Sequence, residues 1–133
     1  MRLGRRRVIA GAAGLATLGF APGASAGTNG RAMYGLIGRM TATAGQRDAL
    51  TAILLEGLGR MPGCLSYIVA HDPADADAIW VTEVWTDEAA HRASLQVPEV
   101  KEAIRRGMPL IATFDDAQVT TPVGGVGLGS TTA

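Results

Sequence analysis

Ile79-Trp80-Val81-Thr82-Glu83-Val84-Trp85-Thr86-Asp87-Glu88-Ala89-Ala90-His91-Arg92-Ala93-Ser94 changes character half-way along. Up to Trp85 it is rich in β-branched and aromatic residues, the composition of a half-buried strand. From Thr86 or Asp87 onward it reads as a capped, Ala-rich helix, with Asp87 and Glu88 placed to meet the positive end of the helix dipole. Side chains alternate along a strand, so Glu83 and Trp85 share one face. His91 follows about a turn and a half into the helix. The stretch therefore predicts a strand–helix junction at which a carboxylate, an indole and an imidazole converge. Each residue also has a plainer reading: Trp80 and Trp85 as core aromatics, Glu83 as the partner of an arginine, His91 as a helix-surface group.

The neighbouring segments supply the rest of a domain. Ala78 to Trp85 forms a hairpin with Cys64 to His71 across the polar turn Asp72-Pro73-Ala74-Asp75-Ala76-Asp77. Before it, Leu50, Ile53, Leu54, Leu58 and Met61 recur at helical spacing. Thr43 and Gln46 stand at capping-box positions for that helix, and Met61-Pro62-Gly63 ends it. Met33 to Thr41 reads as a first strand. Downstream, the helix begun at Asp87 runs to about Gln96 and resumes with Pro98 as its first residue, as far as Arg106. Gly107 and Pro109 close it, and Phe114 to Pro122 reads as a fourth strand. The order β-α-β-β-α-β is that of a ferredoxin-like α+β fold. Two helices cover only one face of such a sheet, so a homodimer is expected to bury the other.

The ends of the chain read differently. Residues 1–26 have a basic head (Arg5-Arg6-Arg7), a Gly/Ala-rich apolar run and the small residues Ala24-Ser25-Ala26, the pattern of an export signal cut after Ala26. The arginine pair before Val8-Ile9 resembles a twin-arginine signal, with Gly4 and Ala10 departing from its usual flanks. The apolar run is too short and weak for a stable membrane span, although an uncleaved anchor is the alternative. An exported protein, periplasmic or secreted, is the expectation. Residues 27–123 then form one small domain and 124–133 a Gly/Ser/Thr tail. The whole chain has 12 basic and 12 acidic residues. Losing Arg2, Arg5, Arg6 and Arg7 tips the remainder acidic, which argues against nucleic acid as a partner. With Cys64 as the sole cysteine there is no intrachain disulfide, and no Cys/His spacing suggests a metal.

Several segments in order are similar to one family. Met33-Tyr34-Gly35-Leu36-Ile37-Gly38-Arg39-Met40, Ala44-Gly45-Gln46-Arg47, Met61-Pro62-Gly63-Cys64-Leu65-Ser66-Tyr67, Glu83-Val84-Trp85 and His91-x-x-Ser94 resemble the antibiotic biosynthesis monooxygenases, their quinol-monooxygenase branch in particular. The resemblance implies a dimeric α+β barrel with a pocket between sheet and helices. It also implies oxidation of a quinol or phenolic aromatic by molecular oxygen with neither metal nor flavin. Trp85 would then form a pocket wall, His91 would approach from the second helix, and Glu83 would orient His91 or Arg39. The haem-degrading branch of this architecture needs residues that Gly38, Ser94 and Ile104 do not supply.

Those expectations give each group a task. His91, with an ordinary pKa near 6.5, is the natural base for a phenolic proton. Arg39 would stabilise the resulting phenolate or a superoxide-like species, with Glu83 as the orienting carboxylate. The rings of Trp85 and Tyr67, with Trp80, would hold a flat substrate. The alternative is a dimeric binding module for an aromatic or quinone ligand, without turnover.

Overall fold

Strands form where β-branched and aromatic residues cluster, and they pair as the hairpin turn dictates. The computed structural model describes residues 32–56 and 61–128, all within a unit that begins at Ala32. The export signal and its cleavage site, Gly57, Leu58, Gly59 and the last part of the tail lie outside the described residues. One antiparallel sheet contains β1 (Tyr34–Ala42), β2 (Cys64–His71), β3 (Ala78–Trp85) and β4 (Ile111–Thr120), in the order β2-β3-β1-β4. The helices are α1 (Arg47–Leu55), α2 (Glu88–Ser94) and α3 (Pro98–Gly107), and a short 3₁₀ turn, Met108–Leu110, leads into β4. This is the ferredoxin-like α+β arrangement, with the second helix in two pieces.

All three helices lie on one face of the sheet. Leu50 of α1 packs with Ala42, Ile79 and Val81 in the buried core. Trp85, Leu50 and Ile79 are its largest fully buried side chains, each contributing on the order of 1.5–3 kcal/mol by leaving water. α3 packs on α1, and Gly107 is what lets it come close. A side chain there would begin 3.3 Å from Leu50 Cδ1.

Asp87 caps α2, its carboxylate accepting from the Ala90 N–H at 2.8 Å, and Pro98 occupies the first turn of α3 as expected. The Pro62-Gly63 turn is explained by Gly63. Its φ of +86° disfavours a side chain, and a Cβ would lie 2.6 Å from that of Ala90. The turn is thereby seated on α2, while the Thr86 N–H donates to the Gly63 carbonyl at 2.9 Å.

Most element ends shift by one or two residues from the sequence reading, and three of the differences have a clear local cause. Gln46, and not Thr43, is the N-cap of α1, and no side chain caps it. Thr43 instead accepts at its carbonyl from the Gln46 N–H, closing a turn before the helix. α1 stops at Leu55, because Glu56 is already extended. Met61 therefore lies beyond the helix. β4 begins at Ile111, three residues before Phe114, because Ala42 and Thr41 still have partners there for Ile111 and Thr113.

Candidate active site

Register decides which of the candidate residues can meet. On β1 and β3, Tyr34 faces Trp85, Leu36 faces Glu83 and Arg39 faces Trp80. On β2, Tyr67 faces Glu83 and Ala70 faces Trp80. Paired residues share a face and alternate residues change it. Glu83, Trp85, Tyr67 and Tyr34 thus lie under the helices, whereas Arg39 and Trp80 lie on the opposite face.

The junction around Glu83 is built as its sequence suggests. The Trp85 indole donates from Nε1 to Glu83 Oε2 at 2.8 Å, so the half-buried carboxylate has one fixed partner. His91 of α2 lies over the pair, with Nε2 3.9 Å from Glu83 Oε2 and its ring 5.4 Å from that of Trp85, edge to face. At 3.9 Å the imidazole and carboxylate are neighbours and not hydrogen-bonded. Burial pushes the His91 pKa down, against the pull of Glu88, so the ring is held toward its neutral form. Burial raises Glu83, and the Trp85 hydrogen bond opposes that rise. Ser94, three residues after His91, donates to the His91 carbonyl at 2.7 Å and so serves the helix itself.

Tyr34 is the member of this group that sequence reasoning missed. Its ring lies 5.2 Å from that of His91, tilted by 33°. Antiparallel pairing brings the start of β1 beside the end of β3, and that pairing is the signal that could have found it.

Arg39 has a different environment. It binds Asp72 through Nε at 3.2 Å, Asp75 through Nη2 at 3.3 Å and Asp115 through Nη1 at 2.6 Å. Its guanidinium lies 5.9 Å from the centre of the Trp80 ring, whose Nε1 also donates to Asp72, at 3.2 Å. Arg47 adds donations to the carbonyls of Asp72, Asp75 and Ala78. Arg39 thus ties the β2–β3 turn to β1, and Arg47 ties it to α1. The expected pairing of Glu83 with Arg39 is therefore corrected, because the sheet stands between them. Trp80 is separated from Trp85 and Tyr67 for the same reason.

A cavity of about 310 Å³ opens between the sheet and helices α1 and α3. Among the described residues, Tyr67 and Phe114 are the aromatic members of its lining and Glu56 the charged one; the others are aliphatic residues, methionines and Gly107. Trp85 is 1% exposed and outside that lining, as are His91 and Glu83. The expected indole wall is accordingly a core residue beside the cavity. Tyr67 connects the two places, since it lines the cavity and faces Glu83 across the β2–β3 pair. Burial first, then Glu83 and Cys64, drive its phenol pKa far up, so the hydroxyl keeps its proton. Cys64 is half-buried, its thiol also raised by burial. Among the described residues no cluster of three or more His, Cys, Asp or Glu is placed to hold a metal.

Comparison with known proteins fits this arrangement. Residues 33–106 match the family profile described as antibiotic biosynthesis monooxygenase. The chain belongs to that family. An antibiotic biosynthesis monooxygenase-type structure from Chloroflexus aurantiacus is 63% identical, covering 73% of this chain and 99% of that one, with a TM-score of 0.71. SnoaB, a cofactor-independent oxygenase from Streptomyces nogalater, shares the fold at 18% identity and a TM-score of 0.59, over 71% of this chain and 97% of its own. Rv0793 from Mycobacterium tuberculosis does so at 18% and 0.60, over 71% and 98%. No curated protein matches the sequence. The Pro62-Gly63-Cys64 turn, Glu83-x-Trp85 and His91 of this antibiotic biosynthesis monooxygenase family member meet at the end of β3 where α2 begins.

Proposed function

We propose that the protein is a cofactor-independent monooxygenase that oxidises a quinol or phenolic aromatic with molecular oxygen. The observation that carries this reading is the line from cavity to base. Tyr67 lines the cavity, Glu83 is its strand partner, and His91 lies 3.9 Å from Glu83. A phenol with its hydroxyl at Tyr67 would lose a proton through Glu83 to the neutral His91. Such contacts are often long in an empty site and shorten when substrate binds. The phenolate passes one electron to O₂, the radical pair recombines at a ring carbon, and departure of the second oxygen as water leaves a quinone. Tyr67, kept protonated, would donate to the phenolate oxygen. Trp85 holds Glu83 in place, and Arg39, on the opposite face, takes no part. Family membership and the fold shared with SnoaB support the assignment.

A second reading, a binding module without turnover, is favoured by the absence of His91 and Glu83 from the cavity lining. Oxygen uptake by the purified protein with a panel of hydroquinones and phenols, with mass analysis of the products, decides between them. Uptake with one oxygen atom gained per ring supports the monooxygenase. Binding of these compounds with no uptake above the spontaneous rate supports the module and overturns the enzyme.

A further inference from the structure

The shape and lining of the cavity specify its ligand further. Tyr67 and Phe114 belong to β2 and β4, the two outer strands of the sheet. Three strand spacings separate them, roughly 14 Å, whereas rings that clasp a flat ligand must each lie within about 4–7 Å of it. Between them the lining is aliphatic or thioether, with Met40, Leu50 and Leu54 as examples. Such side chains adapt to a flexible chain and offer a flat ring system no stacking partner. At its outer end the cavity is rimmed by exposed apolar residues: Ile104 is 44%, Met108 49% and Phe114 64% exposed. The volume, about 310 Å³, is at the low end of the roughly 300–1,000 Å³ of small-molecule sites. Among the described lining residues the one carboxylate, Glu56, is engaged by Arg106. No free cation in the described lining would select an acidic substrate.

We infer that the site takes an uncharged single-ring phenol or quinol bearing an alkyl chain, the hydroxyl at Tyr67 and the chain extending toward Ile104, Met108 and Phe114. This rests on the reading of the cavity as the substrate site. The alkyl chain, and not a second ring, is then the main source of hydrophobic binding.

The test is calorimetric titration of the purified protein with 4-alkylphenols from methyl to octyl, beside 2-naphthol and 2-anthrol. Affinity should rise roughly fourfold per methylene, the worth of burying one such group. Butylphenol and octylphenol should exceed the fused-ring phenols of equal carbon number after each is normalised to its water-to-octanol transfer. Ile104→Glu, and separately Met108→Glu, should flatten the gain for the longer chains, with thermal melts confirming that each variant is folded. Equal or tighter normalised binding of the fused rings overturns the proposal, as does a chain-length gain that both variants leave intact. If no phenol binds, the functional reading falls with it. A chain-length gain without oxygen uptake supports the chain-accepting cavity and removes only the monooxygenase.

Discussion

His91 lies among the buried Trp85 ring, the half-buried Tyr34 ring and the half-buried Glu83 carboxylate, and its protonation state sets what it can do. Burial holds its pKa below 6.5, so the neutral, proton-accepting form prevails at neutral pH. His91→Ala is expected to lower phenol oxidation by roughly 10²–10⁴-fold, the usual worth of a general base, with the melting temperature little changed. Oxidation at the wild-type rate by a folded variant would exclude the imidazole from the chemistry. The same shift has a consequence for stability. A folded-state pKa below the unfolded value means that the contribution is complete above pH 6.5 and is lost as pH falls through the folded value. Glu83, raised above 4.5, acts in the opposite sense, losing its contribution as pH rises through its folded value. The difference between wild type and His91→Gln isolates the histidine. Denaturation of both from pH 7.5 to 5 should show the wild type losing more stability below 6.5.

At the level of elements, Trp85 joins β3 to α2. It is almost wholly buried, and its indole anchors Glu83. Trp85→Ala should cost about 3–5 kcal/mol in chemical denaturation, the range for deleting a buried aromatic. A loss below about 1 kcal/mol would mean that the site collapses around the gap. β2, β3, the Asp87 cap and Pro98 were legible because each has a local cause: β-branched residues, a side-chain acceptor, a ring that fixes φ. The start of α1 was not, since Thr43 and Gln46 fit a capping box and the chain makes a turn with the same two residues. The convergence of Glu83, Trp85 and His91 was legible because it spans one strand end and one helix start. The side of the sheet on which Arg39 falls was not. It depends on Leu36 standing opposite Glu83, and a slip of one residue in that register would have exchanged the faces.

For the molecule as a whole, the sheet has helices on one face, and the described residues leave Ile68 of β2 56% exposed on the other. We propose that a second copy covers that face and that the working unit is a homodimer. Sedimentation velocity at micromolar concentration should give a dimer; a stable monomer would count against it. Ile68→Asp should shift the equilibrium toward monomer, because a charge is costly to bury in an apolar contact.

The irregularity in β4 bears on how the protein behaves in a crowded solution. Between Arg39 and Met40 of β1 the pairing shifts, so that Asp115 is an extra residue between Asp116 and Phe114. Partial burial would raise its carboxyl, yet the hydroxyls of Thr113 and Thr41 and the Arg39 guanidinium hold it below its ordinary value. An outer strand of ten residues would otherwise offer a long template to any unfolded chain. The bulge twists that template, and a charged pair stands at its centre. Asp115→Ala should therefore speed turbidity growth on mild heating well beyond any change in melting temperature. Equal turbidity rates at matched stability would show that the edge needs no such guard.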